Sequence, residues 1–249
     1  MPLVLPPRLT VSARTLRDTA RRRGLRTVQL PDREVPGELH DGDAYLHAGP
    51  SYADSVAPAL GIAPLEAPAD WLARLPAAFV RREIRALPIR EAYALRRPVF
   101  VKSPNDKSIP ALVYTDGSRL PGPDAVDPGT VVLVSDVVAF ETEYRLYLLD
   151  GQVHTGSRYA TSGRFDPAPP TASARAFGAE LLAAAGHTLP SAIVVDVGMT
   201  DAGQWAVIEA NAAWASGCYA SDPDRALDVV LRAAGPLARL AERDSAFVR

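Results

Sequence analysis

Only two of the 27 basic residues in this chain are lysine, Lys102 and Lys107. They follow the apolar run Val99-Phe100-Val101, and a compact ammonium at the end of a strand suits a phosphate group. A second group comprises Asp196, Glu209 and Asn211. Glu209 and Asn211 are two apart after the apolar run Ala206-Val207-Ile208, so on a strand they point the same way, while Asp196 follows Ile193-Val194-Val195. Two carboxylates and an amide carbonyl, with no His or Cys arrangement beside them, suit Mg²⁺. The alternative is that Glu209 faces solvent and Asp196 caps a turn. The third group is Glu143, Arg145 and Arg158. With Asp150-Gly151 as a two-residue turn, Glu143 opposes Arg158, Arg145 opposes Gly156 and Tyr147 opposes His154, so one hairpin face carries all three charges. Such a face either does chemistry or is solvated, with a cross-strand pair of small worth.

The elements that must position these residues alternate at first between strand and helix. Strands are expected at 3–5, 26–30 and 44–47, with a helix from an N-cap at Ser12 to Arg23, ended by Gly24, and another at 51–60. This alternation favours a parallel sheet. Residues 71–95 mix short apolar segments with arginine and proline and form a passage to a second lobe. From Pro98 the pattern turns β-rich, with strands at 99–102, 111–114 and 131–138, the last two separated by a turn-rich loop. The hairpin 142–149 and 152–159 follows, then a proline-rich connection at 164–171 and a helix at 172–185. Strands at 192–197 and 205–210 and a helix at 223–234 complete the chain.

Composition narrows the function classes. With 249 residues, 47% apolar content and 22% charge, the chain can bury a sizeable core. A net charge of −2 argues against bulk attraction to nucleic acid or membrane. Cys218 has no internal partner for a disulfide, prolines interrupt the N-terminus before any signal-peptide core, and a reducing cytoplasm fits best. No long apolar run suggests a membrane span. A P-loop is excluded by the absence of Gly-x4-Gly-Lys-[Ser/Thr].

Taken in order, these residues resemble the ATP-grasp superfamily. The resemblance runs through Pro98-Val99-Phe100-Val101-Lys102, Val131-Val132-Leu133-Val134-Ser135-Asp136, Glu143-Tyr144-Arg145 with Arg158, Asp196-Val197-Gly198 and Glu209-Ala210-Asn211. The Glu-x-Arg hairpin and the later Glu-x-Asn are similar to the peptide-ligase-like members, and the paired arginines with lysine suggest a compact branch defined by two arginines and a lysine. The implied fold is α/β (α+β), with two β-rich lobes gripping a nucleotide after a small N-terminal α/β domain. The implied boundaries are 1–80, 81–135 for the small lobe and 136–249 for the large lobe.

The resemblance also implies roles. Lys102 would contact ATP phosphates and Lys107 would reach them from the covering loop. The backbone of Val134, Ser135, Asp136 and Val137 would hold adenine, with Asp136 or Glu143 near the ribose. Asp196, Glu209 and Asn211 would bind Mg²⁺, while Arg145 and Arg158 would stabilise the transferred phosphoryl group and an acyl phosphate. The implied activity is an ATP-dependent ligase joining a small-molecule or peptide carboxylate to an amine or thiol acceptor. A phosphotransferase that stops after phosphorylation, or a non-catalytic nucleotide-binding protein, remain the alternatives. The chain departs from the family pattern in having no lysine before Lys102, where Arg82 or Arg85 is the candidate replacement, and no glycine in the 103–108 loop. Trp214, Cys218 and Tyr219 are candidates for the acceptor site, although Trp214 also suits simple packing. Oligomeric state is not legible.

Overall fold

A computed structural model describes residues 1–40, 42–105 and 108–249. Lys107, named above as a phosphate contact, lies outside the described residues.

The first strands are β1 (Leu3–Leu5), β2 (Thr27–Gln29) and β3 (Tyr45–Leu46), which form a parallel sheet in the order β2-β1-β3. Between β1 and β2 lies helix α1 (Val11–Arg22), which buries Ala13, Leu16 and Ala20 at helical spacing. Its N-cap is Thr10, whose Oγ1 accepts from Ala13 N at 3.1 Å, and not the expected Ser12. Ser12 lies inside the first turn and is used elsewhere, its Oγ accepting from Cys218 N at 3.0 Å. Helix α2 (Pro50–Val56) and strand β4 (Ile62–Pro64) follow.

The passage at 71–95 contains helices α3 (Trp71–Arg74) and α4 (Ala77–Val80), strand β5 (Ile84–Pro88) and helix α5 (Ile89–Ala92). With β6 (Val99–Lys102), β7 (Leu112–Tyr114) and β8 (Val131–Ser135), β5 makes an antiparallel sheet in the order β5-β8-β6-β7. Ile89, Val99, Val101, Val132 and Val134 fill the core beneath it.

The largest sheet is antiparallel and runs β11-β10-β9-β12-β13. Its members are β9 (Phe140–Leu149), β10 (Gln152–Thr161), β11 (Arg164–Ala168), β12 (Ala192–Thr200) and β13 (Trp205–Asn211). The expected proline-rich connection is therefore a strand in its first half. Pro167 is tolerated because β11 is at the sheet edge, where a missing N–H costs no ladder bond.

Helix α6 (Ala172–Ala185) packs on one face of this sheet, and Leu146, Leu148, Val195 and Leu181 share that core. Gly178 permits the approach, since a Cβ there would lie 2.6 Å from Leu146 Cδ1. The other face carries Tyr147, Val194 and helix α7 (Pro223–Ala233), and these share one core with β1, β3 and α1. The N-terminal sheet and the large sheet are thus joined through common packing. Strand β14 (Ala234–Pro236) pairs with β4.

Candidate functional site

Register within the large sheet decides which charges meet. The β9–β10 hairpin starts as expected, with Gln152 opposite Leu149 and Val153 opposite Leu148. One extra residue at His154 and another at Tyr159 then shift the pairing. Thr155 lies opposite Tyr147, Ser157 opposite Arg145 and Arg158 opposite Tyr144. The expectation that Arg158 faces Glu143 beside Arg145 is thereby corrected. Arg158 shares a face with Tyr144 and bonds outward to β11, its Nη2 lying 2.8 Å from Asp166 Oδ2. Tyr159 takes the place next to Glu143, its hydroxyl donating to Glu143 Oε2 at 2.8 Å.

A third bulge, on β13, aligns the carboxylates. Asp196 pairs with Glu209 and Val194 with Asn211, but Val197 pairs with Val207, so Ile208 is the extra residue. The bulge lets Val207 enter the α6 core while Glu209 and Asn211 lie on the face of Asp196. Arg82 braces it: its guanidinium donates to Val207 O at 2.9 Å, Ile208 O at 3.3 Å and Val80 O at 2.9 Å. The same group lies 5.8 Å from the Phe140 ring centroid. Phe140 in turn leaves no room at Gly198, where a Cβ would be 2.5 Å from Phe140 Cδ1 and 3.1 Å from Ile208 Cδ1. Burial lowers the Arg82 pKa to about 10, which keeps it charged at neutral pH.

These strands gather one connected set of polar side chains. Arg145 grips Asp196 bidentately, Nε to Oδ1 at 2.9 Å and Nη2 to Oδ2 at 2.7 Å. Asn211 Nδ2 donates to Asp196 Oδ2 at 3.2 Å and to Glu209 Oε1 at 2.9 Å. Lys102, delivered across the cleft by β6, ion-pairs with Glu209 Oε2. The Arg145 guanidinium lies 5.7 Å from the Tyr159 ring centroid and 5.2 Å from that of Tyr219.

Electrostatics follow from burial and pairing. Asp196 is 1% exposed, and burial pushes its carboxyl up while Arg145 opposes the shift. At Glu209 burial acts in the same direction, but Lys102 outweighs it with help from Asn211 and holds the carboxyl below its usual range. The Tyr159 hydroxyl is pushed up by burial and by the nearby Asp196 and Glu143 carboxylates.

A cavity of about 550 Å³ opens beside this set, lined by Lys102, Asn105, Arg145, Glu209, Asn211 and Tyr219 among others. After β6, Ser103 Oγ accepts from Ile109 N at 2.8 Å, and Asn105 Nδ2 donates to Ala67 O at 2.9 Å. Toward Leu133, Trp71 and Leu72 leave only about 10 Å³ beside Lys102.

Other expected site residues lie apart from this cavity. Val134 and Ser135 are buried in β8, Val137 is half exposed, and Asp136 accepts from Arg97 at 2.8 Å and from Glu83 N at 3.1 Å. None of these four lines it. Arg85 pairs with Glu83 at 3.4 Å, and Arg82 is committed to carbonyls, so neither lines it. Tyr159 escaped sequence reasoning because its position depends on a bulge.

Asp196, Glu209 and Asn211 suit a hard divalent cation in donor type. Both carboxylates reach one amide group, and each is neutralised by one cation, Glu209 by Lys102 and Asp196 by Arg145. No cluster of three or more His, Cys, Asp or Glu side chains occurs among the described residues.

A family model for the ATP-grasp domain, family 2 of its clade, matches residues 79–229, more than half of the chain. The chain belongs to this ATP-grasp family. Its fold is similar to that in the crystal structure of D-cycloserine synthetase DcsG, with a TM-score of 0.59 and 16% sequence identity over 92% of this chain and 98% of that one. It is also similar to the ATP-grasp ligase PsnB complexed with minimal precursor, with a TM-score of 0.52 and 13% identity over 92% and 98% of the two chains. A comparison with curated proteins gives no match. The ATP-grasp domain thus contains the whole polar set from Lys102 to Asn211. Among the described residues no helix is long and apolar enough to cross a membrane.

Proposed function

We propose that this ATP-grasp protein is an ATP-dependent ligase that activates a carboxylate and joins it to an amine. The observation that carries the reading is the continuous contact path Lys102, Glu209, Asn211, Asp196, Arg145, in which Asp196 is buried and the other four line the cavity. It holds cations for phosphate oxygens and oxygen donors for Mg²⁺ in one place. Similarity in fold to a synthetase and to a ligase seen with a peptide precursor supports the same reading. So does the lack of a nucleophile system in the polar set, since phosphoryl transfer is catalysed by positioning and charge neutralisation.

Lys102 is the α/β-phosphate contact in this account: incoming phosphate oxygens compete with Glu209 for its ammonium. Asp196, Glu209 and Asn211 would hold Mg²⁺, which supplies charge neutralisation on the phosphates. Arg145 keeps Asp196 in place and has further N–H groups to offer the transferred phosphoryl group. A carboxylate oxygen of the substrate attacks the γ-phosphorus, ADP leaves, and an acyl phosphate forms. The amine nitrogen then attacks the acyl carbon; the C–N bond forms, the C–O bond to phosphate breaks, and the nitrogen loses a proton. Arg158 serves the β10–β11 edge in this scheme. The unit 1–80, the small lobe 81–135 and the large lobe 136–249 are the proposed functional divisions, and the cytoplasm the proposed compartment.

The test is a coupled assay across carboxylate and amine pools. A ligase releases ADP and inorganic phosphate together only when both co-substrates are present. ADP release with phosphate retained on the acceptor would replace this reading with a phosphotransferase.

A further inference from the structure

Arg145 commits Nε and Nη2 to Asp196, and among the described residues its Nη1 makes no hydrogen bond. Two N–H groups of a guanidinium that lines the cavity are therefore free for a ligand. Beside this guanidinium lie the rings of Tyr219 and Tyr159, which stack on each other with centroids 5.5 Å apart and 27° between their planes. Tyr159 is fixed by its bond to Glu143. Tyr219 is fixed through its backbone, which stands at φ 45° in the left-handed region that bulky residues avoid. Its hydroxyl makes no hydrogen bond among the described residues. Alternate side chains of β10 hold the loop that carries it: Thr155 Oγ1 accepts from Asp222 N and Ser157 Oγ from Ala220 N, each at 3.1 Å, and Tyr159 supplies the stacked ring. From α1, Ser12 Oγ accepts from Cys218 N at 3.0 Å. A strained backbone persists only where its surroundings over-determine it, and these bonds flank Tyr219 on both sides.

We propose that Tyr219 is a positioning residue for phosphoryl transfer: its ring holds the Arg145 guanidinium so that Nη1 faces the transferred phosphoryl group. The inference rests on the ligase reading and goes beyond it by naming the group that sets the direction of the arginine. Asp196 grips one edge of the guanidinium and leaves the Nη1 end unheld. The Tyr219 ring, 5.2 Å from the guanidinium carbon, limits the swing of that end and keeps water from one flank of the charge. Phe165, on the exposed edge strand β11, packs on the same ring with centroids 5.8 Å apart. The ring and not the hydroxyl is thus the part of Tyr219 that the structure places. Catalysis by charge neutralisation depends on where the cation points, so loss of the ring acts on the transferred group and spares nucleotide affinity.

Fluoroaluminate bound beside ADP and Mg²⁺ imitates the transferred phosphoryl group and needs no co-substrate. ADP is therefore titrated with Mg²⁺, with and without fluoroaluminate, into the wild type, Tyr219→Phe and Tyr219→Gly. Glycine suits the left-handed backbone and keeps that variant folded. The wild type and Tyr219→Phe should bind ADP about tenfold or more tightly when fluoroaluminate is present. Tyr219→Gly should lose that gain and bind ADP alone as the wild type does. A gain that survives in Tyr219→Gly, a loss shared by Tyr219→Phe, or a fall in the affinity of Tyr219→Gly for ADP alone would overturn the proposal. Failure of the wild type to bind ADP, or binding that ignores fluoroaluminate, would overturn the ligase reading instead. The positioning is then decided by the side-chain nitrogen NMR signals of Arg145, identified by their loss in Arg145→Lys. Separate Nη1 and Nη2 signals in the wild type and Tyr219→Phe that merge in Tyr219→Gly support it. Merged signals in the wild type, or separate ones in Tyr219→Gly, overturn it.

Discussion

Arg145 and Arg158 sit on adjacent strands of one hairpin and meet different fates. Arg145 is 12% exposed and bound bidentately to a buried Asp196, with aromatic rings over its guanidinium. Arg158 is 28% exposed and pairs with a half-exposed Asp166 on the edge strand. What separates them is one extra residue at His154, which shifts the register so that Arg158 lies opposite Tyr144 on the far face. The two arginines therefore have separate surroundings: one lines the cavity, the other lies at the sheet edge.

Truncating each arginine gives the largest contrast. Arg145→Ala strands the Asp196 carboxylate in the protein interior, and chemical denaturation should show a loss of about 3–5 kcal/mol together with loss of turnover. Arg158→Ala removes a partly solvated pair and should cost about 1 kcal/mol or less, with turnover retained. Equal losses of activity would return Arg158 to the reacting groups.

The next largest effect is expected at Arg82, which holds the bulge that turns Glu209 toward Asp196. Arg82→Met leaves the Val207 and Ile208 carbonyls without this donor and should destabilise by about 1–3 kcal/mol. It should also lower kcat more than it raises KM for ATP, because Glu209 loses its alignment with Asp196. A stability loss with kcat intact would make Arg82 a strut and nothing more.

Tyr159→Phe is the finest probe of the contrast. It removes the hydrogen bond to Glu143 and keeps the ring over Arg145, so the expected loss is about 1 kcal/mol, with Arg145-dependent turnover preserved. Turnover falling as far as in Arg145→Ala would assign chemistry to the hydroxyl.

Much of this architecture was legible because local pattern and tertiary role agree. Strand β6, helix α6 and the turn at Asp150-Gly151 lie where the apolar runs and the turn residues place them. Strand β5 was hidden because Ile84–Pro88 is short and carries an arginine and a proline; its pairing with β8 makes it a strand. The meeting of Asp196, Glu209 and Asn211 was legible too, since Glu209 and Asn211 share a face whatever their neighbour does. The bulges at His154, Tyr159 and Ile208 were not, because each is settled by packing against another strand. Hence Arg158 was drawn to the wrong face, Tyr159 went unread, and Arg82 was read as a replacement for an upstream lysine and not as the brace of the β13 bulge.

The central claim is that Lys102 and the Asp196, Glu209 and Asn211 group together form a nucleotide-metal site. Titrating ATP into the wild type and into Glu209→Gln, each with and without Mg²⁺, tests it most directly. The account predicts tight binding to the wild type only with Mg²⁺, and a variant that remains folded but gains little from the cation. Binding to the wild type that ignores Mg²⁺, or a variant that keeps the full Mg²⁺ effect, would contradict it.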